Sequence, residues 1–345
     1  MLNNYFVRRL LLIIPTFIGI TLVVFAVTRV VPGGPIERAI MQRMLQQDKG
    51  GGGGSGAKSS QNTQPLNAEA LAELKAFYGF DKPWPVAYVI WFGKILRGDL
   101  GRSTKYNDPV LSMIVSRFPI SLRFGITSFI LVYLICIPLG IQKALRHRSA
   151  FDNATSILIF VGYALPGYIV AIILLQFFAF TLGWFPSGGL FSRGYETMNF
   201  FQRIKDNVWH MVLPMIAYII GSFAVMTMSM KNNLMENMAS DYVKTAVAKG
   251  RTFKDAMWKH AFRNSVIPIA AGLGGIITIF FVGAFLIEKI FNINGMGLLS
   301  FRAIQDRDYP IVLGSLVMTA LLTLLGNILS DFILSLVDPR IRLGE

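Results

Sequence analysis

The sequence predicts an all-α, polytopic membrane protein with six transmembrane helices. Of its 345 residues, 53% are apolar and only 15% are charged, whereas a soluble domain carries about a quarter charged residues. The apolar residues are concentrated in runs of about 20 residues, which is the length that the hydrocarbon core of a bilayer requires. The predicted spans are 10–31, 120–145, 156–182, 209–230, 264–287 and 311–337.

The first span resembles a signal peptide because Arg8 and Arg9 precede it. Its apolar run extends from Leu10 to Thr28, which is too long for the apolar region of a signal peptide. The sequence that follows also lacks a convincing small-residue cleavage site. Residues 1–31 are therefore predicted to be a short N-terminus followed by a retained anchor.

The segment 32–119 is predicted to lie outside the membrane. Within it, residues 44–67 are polar and glycine-rich, which predicts a flexible insert that tolerates deletion. The letters GGGGSGAKSS suggest a phosphate-binding loop, but Ala57 separates the last glycine from the lysine, and a flanking strand and helix are missing. We therefore predict no nucleotide site in this segment.

Basic residues in the short loops predict the orientation. The loop after the second span carries Lys143, Arg146 and Arg148 against Asp152, and the loop 231–263 is also strongly basic. Because basic loops stay on the cytoplasmic side, both termini, including the tail 338–345, and the loop 231–263 are predicted to be cytoplasmic. The same distribution accounts for the net charge of +14 without invoking nucleic acid. Five spans, over 120–337, then form the core of the protein.

The segment 231–268 is the most distinctive polar stretch of the chain. Ser240 or Asp241 can cap a helix, Gly250 can adopt the left-handed conformation that ends one, and Thr252 can start another. The sequence therefore predicts a short helix over 241–250.

Four residues share one face of this short helix: Tyr242, Thr245, Ala246 and Lys249. Together with Ala248, Ala246 keeps the helix slim, so that another surface can approach closely. Local chemistry leaves two interpretations open. The segment is either a docking helix for a soluble partner or an amphipathic connector that rests on lipid headgroups.

The letters DYVKTAVAKG, followed by WKHAFRN and Pro268, resemble the cytoplasmic "EAA" loop of binding-protein-dependent ABC importer permeases. In that family the loop forms the coupling helix, which sits in a groove of the ATPase subunit. Here Lys244, Thr245 and Ala246 stand where the family name expects Glu-Ala-Ala, whereas the glycine matches. The resemblance implies that the ATPase-coupling residues are Asp241, Tyr242, Thr245, Ala246, Ala248, Lys249 and Gly250.

Further segments carry the same resemblance over nearly the whole chain, with the exception of 36–67. They include VVPGGP, YGFDKPWPVAYVIWFGKILRGDLGRS, IPLGIQKA, GYALPGY, INGMGLL, RDYPIVLG and VDPR. Together they are similar to the oligopeptide, dipeptide and nickel branch of these permeases. Within it they are most similar to the B-type subunit of the Yej-type peptide and microcin C importers.

This resemblance implies a type I ABC importer permease fold in the bacterial inner membrane, with the chain forming half of a heterodimeric pore. The implied partners are a second homologous permease, two cytoplasmic ATP-binding domains and a periplasmic peptide-binding protein. The partner ATPase subunits are expected to bind ATP and Mg, and this chain is expected to bind no cofactor and no nucleic acid.

A second set of candidates lies in the last two predicted spans. An intramembrane carboxylate is costly unless it is paired or faces water, and small residues allow helices to approach closely. Either a translocation path or helix packing explains these residues: Ala271, Gly272, Gly275, Gly283 and Asp331.

The residues present also limit the alternative functions. The three histidines fall in different loops or span ends, and no carboxylate is predicted to pair with them at helical spacing, so neither an enzyme nor a metal site is predicted. An ion-coupled transporter or channel, with Asp331 as a relay, and a nickel or small-solute importer remain the alternatives. Abundant Phe, Met and small residues favour oligopeptides or peptide-like compounds as the substrate.

Overall fold

The structure is a computed structural model that describes residues 2–30, 81–271 and 284–337. The regular elements of these residues are helices. The predicted insert 44–67, the tail 338–345 and the candidate residues Gly272, Gly275 and Gly283 lie outside the described residues. The described residues fall into two compact units. The first contains 117–299 with both ends of the chain, and the second contains 13–116 with 300–320.

Twelve α-helices occur within the described ranges. They are α1 (Leu2–Val30), α2 (Trp84–Leu96), α3 (Val110–Leu145), α4 (Ala150–Ala164), α5 (Gly167–Leu174), α6 (Phe200–Ala239), α7 (Asp241–Ala248), α8 (Phe253–Ala256), α9 (Arg263–Ala271), α10 (Phe285–Ile290), α11 (Met296–Gln305) and α12 (Tyr309–Val337). A π-helical turn, Leu175–Thr181, continues α5, and a second one, Met257–Phe262, joins α8 to α9.

Four of these helices are long and apolar enough to cross a membrane, and they contain the first, second, fourth and sixth predicted spans. The helices α3 and α6 have 36 and 40 residues. They are therefore about 54 and 60 Å long, compared with about 30 Å for a hydrocarbon core. The α6 helix therefore extends beyond the predicted span 209–230 at both ends. This helix starts at Phe200 because Asn199 and Gln202 form a reciprocal capping box.

The third predicted span, 156–182, is not one straight helix. The helices α4 and α5 meet at an angle of 98°. The cause is Pro166, which lacks an N–H group and forces Leu165 into an extended conformation with ψ 124°. The α5 helix then begins at Gly167, where a Cβ atom would lie only 2.8 Å from the carbonyl oxygen of Ala217 in α6. The bent pair has the geometry of either a broken span or a re-entrant loop, and its second helix packs tightly against α6.

The fifth predicted span, 264–287, is described only at its ends. The α9 helix covers its beginning, and α10 follows from Phe285. With the bent pair counted once, the described residues contain up to five spans.

In the second unit, two segments that are about 200 residues apart in sequence are joined by one carboxylate. Asp308 is 1% exposed. It accepts hydrogen bonds from the Ser103 hydroxyl at 2.5 Å and from the Thr104 and Lys105 N–H groups at 3.2 Å each. A salt bridge of 2.6 Å between Lys105 and Asp306 lies beside it, and this bond raises the pKa of Lys105. These contacts put the predicted external segments GDLGRS and RDYP on the same side of the protein.

Candidate coupling site

The short helix predicted over 241–250 is α7, which ends at Ala248 and is followed by Gly250 with φ +88°. Ser240 occupies the N-cap position, but its hydroxyl donates to the Glu236 carbonyl instead of capping the helix. Asp241 lies in the first turn, where a negative charge favours the helix dipole. A hydrogen bond of 2.9 Å from Lys244 lowers the pKa of Asp241.

The predicted common face of α7 is largely exposed. Tyr242, Thr245 and Lys249 are accessible, as is Ala248 beside them. Ala246 differs because it lies at the buried edge of this face and packs against the core of the protein. Any partner of α7 would therefore contact the exposed residues. Ala246 is available to such a partner only in part, because it also packs against the core.

Beneath α7 lies a hydrophobic cluster, here called the support cluster. Val243 of α7 is 1% exposed and anchors the helix in it. The cluster consists of Ile141, Ala144, Met230, Leu234, Val243, Ala256, Met257, Ala261 and Ile269. Because these residues come from α3, α6, α7, α8, α9 and the π-helical turn between α8 and α9, α7 rests directly on the ends of two predicted spans.

A buried ion cluster, formed by Lys143, Asp152 and Lys231, lies beside the support cluster. Lys231 donates to both carboxylate oxygens of Asp152, at 2.8 and 2.7 Å. Lys143 lies 3.0 Å from the same carboxylate and also donates to Thr155 and Ser156, at 2.8 Å each. The ion cluster therefore joins the end of α3 and the start of α4 to α6.

These three charges were counted among the loop residues that predicted the orientation, and that assignment was wrong. Lys143 is 0% exposed and Asp152 only 2%. No pattern in the sequence indicated that the three side chains converge. Arg146 and Arg148 remain exposed in the loop after α3, so its basic excess persists without Lys143.

The two lysines reach one carboxylate because α3 and α6 approach closely. A Cβ atom on Gly140 would lie 2.6 Å from the Cβ of Met230 and 2.8 Å from the carbonyl oxygen of Thr227. Gly140 is one turn before Lys143, and Thr227 is one turn before Lys231. Small residues allow such contacts between helices in membranes.

The remaining predicted site residues do not form a second site within the described residues. Asp331 forms a 2.5 Å salt bridge with Arg9, and both side chains are partly exposed. This pairing favours a structural role, in which Asp331 holds the start of α1 to the end of α12. Ala271 is the last described residue of α9.

Glu288, which is 1% exposed, was not among the predicted site residues. Its carboxylate accepts a hydrogen bond from the Leu298 N–H at 2.7 Å, and so caps the start of α11. A Cβ atom on Gly295 would lie 2.7 Å from this carboxylate. The closely spaced glycines of INGMGLL were the available sequence signal for this carboxylate. A buried carboxylate needs hydrogen bonds from neighbouring backbone N–H groups, and glycines let it approach them because they have no side chain.

With this geometry established, comparison with known proteins decides the family. The sequence profile described as "Binding-protein-dependent transport system inner membrane component" matches residues 136–343. The chain belongs to this family. The matched region contains α7, the support cluster and the ion cluster.

Relatives of this family member align over almost its full length. The "Inner membrane ABC transporter permease protein YejB" of Escherichia coli O157:H7 is 39% identical over 362 residues, covering 99% of both chains. The "Peptidoglycan transport system permease protein YejB" of Agrobacterium fabrum is 38% identical, covering 99% of this chain and 98% of the relative. The "Oligopeptide transport system permease protein AppB" of Bacillus subtilis is 31% identical, covering 98% and 99%.

The predicted resemblance is thus confirmed. The protein is a multi-pass permease of the inner membrane and a non-catalytic component of an ABC transporter. Family membership decides against the alternatives of an ion-driven transporter and of an intramembrane enzyme.

Proposed function

We propose that this permease imports oligopeptides or peptide-like compounds, and that ATP-driven movements reach its spans through α7. Its partners are a second homologous permease, two cytoplasmic ATP-binding domains and a periplasmic peptide-binding protein. ATP and Mg are bound by the ATPase partners, and this chain supplies no cofactor site.

The exposed face of α7 above the support cluster carries this proposal. The helix offers short side chains at Thr245 and Ala248 for close contact, and Tyr242 and Lys249 for polar contacts at the edge. Its buried side is fixed by Val243. Movement of an ATPase subunit bound to this face is therefore transmitted through α7 to a packed core.

From the support cluster, movement passes to the spans by rigid contacts. Met230 and Leu234 belong to α6, and Ile141 belongs to α3. The ion cluster adds α4, the first helix of the bent pair. A displacement of α7 thus acts on three helices together, which is the requirement for switching a cavity between inward and outward access.

The proposal is tested by replacing Ala248 with Arg. A long charged side chain at a close-packed interface costs about 1–3 kcal/mol, which corresponds to roughly a 5- to 150-fold loss of affinity for the ATPase subunit. We expect the variant to insert normally but to lose ATPase binding in co-purification and to lose transport.

Ala150→Arg is the matched control, because Ala150 is also exposed and lies at the start of α4, next to the other loop on the predicted cytoplasmic side. Normal transport by a stably inserted Ala248→Arg permease would refute the coupling role of α7. Ala246 is less suitable for this test because it also contacts the support cluster. A larger side chain there would disturb folding as well as docking, and the measurement would not separate the two effects.

The orientation follows from the basic loops and is open to direct labelling. A cysteine at Tyr106, which is 45% exposed, is expected to react with an impermeant reagent added outside the cell. A cysteine at Lys254 is expected to react only after the membrane is permeabilised. The native Cys136 is buried and gives little background. The reverse pattern would place α7 on the wrong side for an ATPase.

Substrate class is tested with the reconstituted transporter. The names of the relatives refer to oligopeptides, dipeptides and peptidoglycan. We expect peptide-loaded binding protein to stimulate ATP hydrolysis and nickel to have no effect. Stimulation by nickel with peptides inert would instead establish the small-solute alternative.

A further inference from the structure

The α2 helix presents two different apolar surfaces. One surface packs on α1, where Phe25 contacts Tyr88 and Trp91 with ring centroids 5.6 and 5.2 Å apart, and Phe17 contacts Phe92 at 6.1 Å. The opposite surface is exposed among the described residues of the unit that contains α2. Val89 and Leu96 there are 67% and 68% exposed.

The contacts with α1 fall within its apolar span. The apolar span of α1 extends from Arg8 to Val27. Thr21 is six residues before the end of that span, which corresponds to about 9 Å. The Tyr88 hydroxyl lies 3.0 Å from the Thr21 hydroxyl and donates to the Ile18 carbonyl at 3.2 Å. Such an internal partner is what a polar group needs in hydrocarbon.

The composition of α2 fits the same depth. Between Trp84 and Leu96, only Tyr88 and Lys94 are not apolar or glycine. A helix that is apolar all round lies in a protein core or in a membrane. With 13 residues it is about 20 Å long, too short to cross about 30 Å of hydrocarbon.

The contacts also indicate how α2 lies. Trp91 contacts Phe25, and the adjacent Phe92 contacts Phe17. The two contacted residues of α1 lie on opposite sides of Thr21 along the helix. This is the pattern of a helix that crosses α1. Lys82 before α2 and Lys94 and Arg97 at its other end can then extend to the headgroups, as long basic side chains do at membrane surfaces.

We propose that α2 is a monotopic membrane helix, immersed in the leaflet at the C-terminal end of α1, with its exposed face against lipid acyl chains. The prediction that the whole segment 32–119 lies outside the membrane is thereby replaced for 84–96. The inference does not depend on the coupling role of α7 or on the substrate.

The test places a nitroxide spin label on cysteine at Val89 in the full-length permease, reconstituted in liposomes with Cys136 replaced by Ala. Collision rates are measured with oxygen, which concentrates in lipid, and with the water-soluble complex NiEDDA. We expect the Val89 label to be accessible to oxygen and several-fold less accessible to NiEDDA. A label at Tyr106, in the exposed turn before α3, is the aqueous control and should show the reverse.

Three outcomes are possible, and each decides the matter. High accessibility to oxygen alone supports lipid contact. High accessibility to NiEDDA would show that the face is in water, and low accessibility to both would show that protein covers it. Either of the last two results overturns the proposal, and labels at Leu96 repeat the measurement at the other end of the helix.

Discussion

Replacing Asp152 with Asn is expected to destabilise the permease more than any other change in the ion cluster. The carboxylate is the only acidic member of a buried group with two lysines. Asparagine removes its charge and leaves two buried ammonium groups together. Removing one partner of a buried ion pair costs about 3–5 kcal/mol, because an uncompensated charge remains. Thermal unfolding of the purified permease in nanodiscs measures this loss.

Lys231→Met is the informative companion variant. It leaves Lys143 and Asp152 as a balanced pair, so we expect a much smaller loss than for Asp152→Asn. Lys143 also retains its hydrogen bonds to Thr155 and Ser156. The double variant Asp152→Asn with Lys231→Met should recover part of the stability, since only one charge then stays buried. Equal losses of stability for the two single variants, together with a loss for the double variant that equals their sum, would contradict this account of the cluster.

The second large effect is expected at Gly140, where α3 and α6 are in contact. Valine at this position would place its Cβ within 3 Å of both the Met230 side chain and the Thr227 carbonyl. Overpacking generally costs about 1–3 kcal/mol. The loss here should reach the upper part of that range because one of the contacted atoms is backbone. We expect lower yield of folded protein in size-exclusion chromatography and a lower unfolding temperature.

Gly221 supplies the matched control for this substitution. It lies in α6, and a Cβ atom there would meet nothing within 4 Å. Gly221→Val makes the same change of residue type inside a span, so its own effect on helix propensity is comparable. A similar loss at both glycines would mean that the close approach of α3 to α6 is unimportant for stability.

The effect of Gly140→Val should extend to the ion cluster. Separating α3 from α6 moves Lys143 away from Lys231, and Asp152 cannot then bind both. Combining Gly140→Val with Lys231→Met should therefore cost less than the sum of the two separate losses, as expected for residues that share one network.

Local chemistry predicted those elements whose signal lies in neighbouring residues. Apolar runs located the spans at α1, α3, α6 and α12, because burial in hydrocarbon depends on the residues of one segment. The glycine at 250 and Thr252 marked the end of α7 and the start of α8 for the same reason. Pro166 is also a local signal, because proline interrupts a helix. The third span was nevertheless predicted as one continuous segment, because hydropathy does not depend on backbone geometry.

Contacts between distant residues were decided by the tertiary structure alone. Asp152 and Lys231 are 79 residues apart, and Ser103 and Asp308 are 205 apart. In the sequence the charges looked like solvated loop residues, and the glycines of INGMGLL did not show which carboxylate they surround. The exposed face of α7 was predicted from helical periodicity, but the inward position of Ala246 depends on the helices beneath it. Helices and spans are encoded locally, whereas the partner of a buried charge is set by which helices pack together.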